Sequence, residues 1–158
     1  MKKEVRTLLD QVKDTADFGY VEFNDINATN EMGDNALHCV IVWGDYERAK
    51  LLIENGININ QSGEHGYTPL HQACSFGHAK LVKLLLEHGA NPFARTEGDT
   101  PFAIARLAGK NEICDLLTPY MTKADPDPAQ KAREEHMKHL ERRITELEEQ
   151  VHKQSADS

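Results

Sequence analysis

Apolar side chains recur along this chain at helical rather than strand spacing. Near the start, Val5, Leu8, Leu9 and Val12 fall at i, i+3, i+4 and i+7. That is one buried helix face, and the spacing predicts an amphipathic helix over residues 3–14. In the centre, "HAKLVKLLLEHG" gathers Leu81, Val82, Leu84, Leu85 and Leu86 into a broad apolar face and stops at Gly89. Close to the end, Met137, Leu140, Ile144, Leu147 and Val151 step alternately by three and four, which reads as a heptad seam. The stretch "FGYVEFNDIN" reads as a connecting segment, partly extended.

The central pattern has copies on both sides. Gly33, Gly66 and Gly98 open the related strings "GDNALH", "GYTPLH" and "GDTPFA", at steps of 33 and 32 residues. Gly44, Gly77 and Gly109 keep the same rhythm, and Gly56 and Gly89 close the first two copies. Each unit reads as turn, short helix, tight turn, longer helix and loop. Thr68 is a good N-cap, and Pro69 takes the first helical position, where a missing N–H costs nothing. Thr100 and Pro101 repeat this arrangement, while Asn35 and Ala36 keep the cap without the proline. Gly77 stands where the short helix must end in a left-handed residue. A helix pair with so wide an apolar face cannot bury it alone, so the units must stack on one another.

The stretch "GYTPLHQACSFGHAKLVKLLLEHGA" resembles the ankyrin repeat, and the resemblance covers about residues 26–117. It implies an all-α solenoid of paired antiparallel helices with turn or β-hairpin fingers, in three repeats at about 26–58, 59–91 and 92–121. Residues 1–25 then form a helical N-terminal cap and connector, 122–128 a Pro-rich linker, 129–154 the heptad helix and 155–158 a disordered end. The family keeps small residues in its first helix so that neighbours can approach. Ala73 and Cys74 obey this, whereas Ile41 and Arg106 fill the second of those slots and mark the outer copies as the ends of the array. Ala103 replaces the histidine that His38 and His71 supply, so their turn hydrogen bonds are missing from the third repeat. Pro119, in "LLTPYM", is expected to break the last helix of the array.

Charge and chemistry narrow the function. The net charge is −8, and residues 129–154 hold six basic and six acidic side chains, so the acid excess lies in the rest of the chain. Such a body repels nucleic acid and anionic membrane, which need clustered Lys or Arg, and favours a basic protein partner. No apolar run has the length of a membrane span, and the N-terminus lacks a secretory pattern. Three cysteines (Cys39, Cys74 and Cys114) with no C-x-x-C pair argue against a disulfide framework or a zinc knuckle, and point to a reduced, cytoplasmic setting. Cys74 and Cys114 read as buried thiols and Cys39 as a more exposed one with nothing to activate it. His38, His71 and His78 read as turn hydrogen-bonding residues, and His136 and His139 lack a further metal ligand at matching spacing. With no phosphate-cradling glycine loop, nucleophile elbow or zinc-protease helix, no catalysis, cofactor or metal is expected.

The resemblance implies a concave binding face built from turn tips and the exposed side of each first helix. The matching tip positions are Glu31, Met32 and Asp34, then Glu64, His65 and Tyr67, then Thr96, Glu97 and Asp99. The matching helix positions are Val42 and Trp43, Ser75 and Phe76, and Leu107 and Ala108. An aromatic floor of Trp43, Tyr67 and Phe76 inside an acidic rim suits a protein that presents Lys or Arg beside an apolar patch. A competing reading packs Trp43 and Phe76 against neighbouring turns. Three roles stay open: a protein-binding module acting by occlusion or tethering, a toxin-neutralising immunity-type inhibitor like some small bacterial ankyrin proteins, and a scaffold dimerised through residues 129–154. For that dimer, the seam has Met, Ile and Val at a and Leu at d, and Arg143 at g faces Glu148 at the following e of a second chain. A helix folded back as a lid and a loose helix are the alternatives.

Overall fold

A computed structural model describes residues 1–122 and 128–156, with side chains described from 135 to 153 in the second stretch. Residues 123–127 of the expected linker (122–128) and the last two residues of the expected disordered end, 157 and 158, lie outside the described residues, while Thr122 and Pro128 at the linker's two ends are helical.

The repeats begin where the caps predict. Asn35 starts α2 (Ala36–Trp43), its side chain accepting from the N–H groups of Leu37 and His38. Thr68 starts α4 (Pro69–Phe76) by accepting from His71 N–H, and Thr100 starts α6 (Pro101–Leu107) by accepting from Ala103 N–H. Each N-cap satisfies helix donors that would otherwise be orphaned. Gly77 ends α4 at φ 77°, a left-handed conformation that a side chain would strain. The longer helices of the three pairs follow as α3 (Tyr46–Glu54), α5 (Ala79–Glu87) and α7 (Asn111–Thr122).

These pairs stack in order: α4 lies between α2 and α6, and α5 lies between α3 and α7. The apolar face read from the sequence is the core. Leu81, Val82, Leu84, Leu85 and Leu86 are all buried, together with Leu37, Leu52, Leu70, Ile113 and Leu117 from the flanking helices. Fully burying one such side chain stabilises the fold by about 1.5–3 kcal/mol. Ala73 and Cys74 have no exposed surface, which allows the close helix approach their size suggested. Within each of the first two repeats the closing loop is tied back to the opening one: Asn58 N–H donates to Asn27 Oδ1 at 2.6 Å and Asn91 N–H to Asn60 Oδ1 at 2.8 Å.

The N-terminal helix α1 (Lys3–Lys13) packs on α2 and α3 and buries Val5, Leu8, Leu9 and Val12. With α1 in place, Ile41 is fully buried, whereas Arg106 in the matching slot of α6 is exposed. The seam helix α8 runs Pro128–Ala156, taking in the first two residues of the expected disordered end. No described helix is long and apolar enough to cross a membrane.

One expectation narrows and two change. Of the turn or β-hairpin fingers expected, the turns are what forms: among the described residues there is no strand, only one antiparallel bridge between Thr29 and Asn35. A finger as short as Gly63–Tyr67, closed by Gly63 N–H to Tyr67 O at 2.8 Å, leaves no room for a ladder. The connector after α1 is a run of turns and irregular chain, not extended strand, and Phe18, Val21 and Phe23 pin it by burial. Pro119 does not break α7, which continues to Thr122. The proline ring is exposed, while buried Leu117 and half-buried Tyr120 and Met121 hold the last turn on the core.

Candidate functional site

The short helices α2, α4 and α6 use their small and apolar residues for stacking, and the residues just before their closing glycines are left outside. Val42 is 49% exposed, Trp43 40%, Phe76 52% and Leu107 80%, with Ser75 and Ala108 also exposed. Trp43 and Phe76 are therefore not sealed among neighbouring turns. Large apolar groups left in water at equivalent places in successive repeats form an unusual row, because stacking gains nothing from them.

Each aromatic ring is held in place. Arg48 lies with its guanidinium 5.7 Å from the Trp43 ring, a cation–π arrangement. Asp45 fixes that arginine, its Oδ2 accepting from Nη1 at 2.8 Å while its Oδ1 caps α3. Phe76 stacks on the imidazole of His78 with centroids 5.9 Å apart. The same imidazole closes over Gly44, where a Cβ would come within 3.0 Å of it. His78 thus works as a packing plug between repeats, not through the turn hydrogen bonds expected of it. Tyr67 is half-buried beside His71, with ring centroids 5.6 Å apart, so it offers only part of its ring.

The finger tips divide into free and committed residues. Glu31, Met32, Glu64, His65, Glu97 and Asp99 are exposed, and Thr96 is half-buried. His65 lies 3.6 Å from Glu64 and 3.6 Å from Glu97, so it stands between acids of adjacent fingers. Its φ of 55° is left-handed, which is uncommon for a residue with a side chain. Asp34 departs from the expected acidic rim. Its Oδ1 accepts from Glu64 N–H at 3.2 Å and lies 3.8 Å from His38 Nε2, which fastens the first finger to the second. Gly63 beneath it has no space for a side chain. The sequence gives no local signal for this, because the partner backbone lies 30 residues away.

Two histidines and two cysteines inside the array are tied up by the fold. His38 Nδ1 accepts from Asn35 N–H and Nε2 donates to Tyr67 O at 2.9 Å. His71 repeats this between Thr68 N–H and Asp99 O. Burial lowers the pKa of both histidines, so each stays neutral in the fold. Burial also pushes the Cys39 thiol up to about 11 and the Cys74 thiol to about 12, far from the thiolate a nucleophile requires. Cys114 is half-buried. Among the described residues no three His, Cys, Asp or Glu side chains converge to hold a metal. On α8, Met137, Leu140, Ile144, Leu147 and Val151 are between 41% and 65% exposed.

A family model described as Ankyrin repeats (3 copies) matches residues 2–96 and again residues 61–131. No curated protein matches the chain.

Proposed function

We propose a function from one premise: the chain belongs to the ankyrin-repeat family. Ankyrin repeats generally mediate protein–protein interaction. This chain is a non-enzymatic module that grips a protein through its finger tips and the exposed C-terminal ends of α2, α4 and α6, by occlusion or tethering. One observation carries the reading. Val42, Trp43, Phe76 and Leu107 stay in water where stacking does not need them, and each finger carries an exposed glutamate: Glu31, Glu64 and Glu97.

That arrangement selects its partner chemically. Aromatic side chains that enter pockets on a partner dominate interface energies, with surrounding polar groups excluding water. The glutamates steer a Lys- or Arg-bearing surface toward the row and repel polyanions. His38 and His71 are committed to turns, and burial holds the Cys39 and Cys74 thiols protonated, so none of these four offers a ready base or nucleophile.

The test uses the full chain as bait in quantitative affinity purification, beside the Trp43→Ala/Phe76→Ala variant. Each truncation at an anchor costs about 2 kcal/mol or more of binding, so the variant loses the co-purifying partner. Its circular dichroism and melting temperature stay close to the parent, because neither ring is buried. A variant that unfolds, or one that keeps its partner at full yield, overturns the reading.

A further inference from the structure

The helix α8 is continuous from Pro128 to Ala156, about 43 Å at 1.5 Å per residue. None of its described side chains, from residue 135 to 153, is buried. Met137, Leu140, Ile144, Leu147 and Val151 are 58%, 41%, 55%, 50% and 65% exposed. A polar helix that buries no apolar face is marginal in water, so this stripe requires a surface to cover it.

Its width says which kind of surface. Only positions a and d are apolar: Met137, Ile144 and Val151 at a, Leu140 and Leu147 at d. The flanking e and g positions hold Glu141, Glu148, His136, Arg143 and Gln150. A helix lying on a globular core needs an apolar stripe that spreads onto e or g, whereas a strict a/d stripe is a coiled-coil seam. β-branched residues at a with Leu at d favour two strands. The fitting occupant is therefore another copy of the same helix.

The charges then choose the direction. In a parallel pair, each g faces the following e of the other helix. Arg143 meets Glu148 of the second copy, and His136 meets Glu141 of the second copy, in symmetric sets. In an antiparallel pair, e faces e and g faces g, so Glu141 and Glu148 confront glutamates across the seam. We propose that α8 pairs in parallel with α8 of a second copy of this chain, forming a two-stranded coil that carries two repeat arrays. A binding face present twice in one assembly gains avidity without any new contact. The pairing stands on α8 alone and survives even if the binding face proposed above is wrong.

Sedimentation equilibrium on the full chain tests this. The parent is expected to shift with concentration between 17.8 kDa and twice that mass. Ile144→Glu stays at the lower mass, with the melting of the repeats unchanged. Direction is read from a charge-swap cycle. Arg143→Glu and Glu148→Arg each turn two symmetric attractions into repulsions and weaken the dimer by about tenfold. The double variant R143E/E148R restores it to near the parent value. A parent that is monomeric at every concentration overturns the proposal. So does an Arg143→Glu variant that dimerises as tightly as the parent, which is the antiparallel signature because like residues then face each other before and after the change, or a double variant that fails to recover.

Discussion

His38 and His71 each use both ring nitrogens inside the fold, and the direction of those bonds fixes their charge. Nδ1 faces a backbone N–H, Asn35 in one case and Thr68 in the other, so a proton there would displace a donor from its acceptor. Burial adds to this and lowers both pKa values below the usual 6.5. In the unfolded chain the same histidines titrate near about 6.5. Above that value both states are neutral and the histidines leave stability independent of pH. As pH falls through it, the unfolded chain takes up protons that the folded chain refuses. Stability then drops by at most about 1.4 kcal/mol per pH unit for each histidine, until the lowered folded pKa is reached. Urea titrations from about pH 7.5 to about pH 5.5 should show a falling midpoint, and His71→Asn should flatten the slope. A midpoint that does not move would contradict the bonding described. These histidines were legible because in each repeat the cap and the ring lie within four residues of one another. Asp34 was not, since its acceptor role depends on the backbone of Glu64, and neither was His78, whose ring is placed by Gly44 of the preceding repeat.

Helices were the easiest elements to read, since their apolar spacing and glycine stops are local facts. The end of α1 falls one residue before the predicted one, and α4 and α5 begin where Thr68 and Gly77 imply. The irregular pieces were harder. Phe18, Val21 and Phe23 follow no period, and only the core cluster they join explains their burial. Pro119 obeyed a sound local rule that packing overrode, because a proline three residues from a helix end removes one hydrogen bond while three side chains anchor that turn. The element whose contribution can be isolated best is α1. Leu9 has no exposed surface, and α1 is the helix that packs on α2, whose Ile41 fills a slot kept small in α4. Leu9→Ala should lower the unfolding free energy by about 2–5 kcal/mol, as a core cavity does. Chemical denaturation monitored by helicity checks this. A loss below about 1 kcal/mol would mean that α1 packs too loosely to act as the cap of the stack.

For the repeat unit as a whole, shielding and display are one arrangement. Helix pairs cover each other's leucines, and that leaves the C-terminal ends of the short helices and most finger tips in solvent. Fold class was legible from three glycine series in step, because a stacked array writes its own period into the chain. The proposed face was legible only as a set of positions. Which of them are free emerged from burial: Trp43, Phe76, Glu64 and Glu97 stand out in solvent, while Asp34 and Tyr67 are drawn into the scaffold. Amide hydrogen exchange on the full chain, with and without the partner recovered by affinity purification, tests the central claim most directly. The account predicts slowed exchange at residues 42–44, 75–77 and 107–109 and in the fingers around Glu31, Glu64 and Glu97, with α3, α5 and α7 unchanged. Slowing confined to α3, α5 and α7 would contradict it.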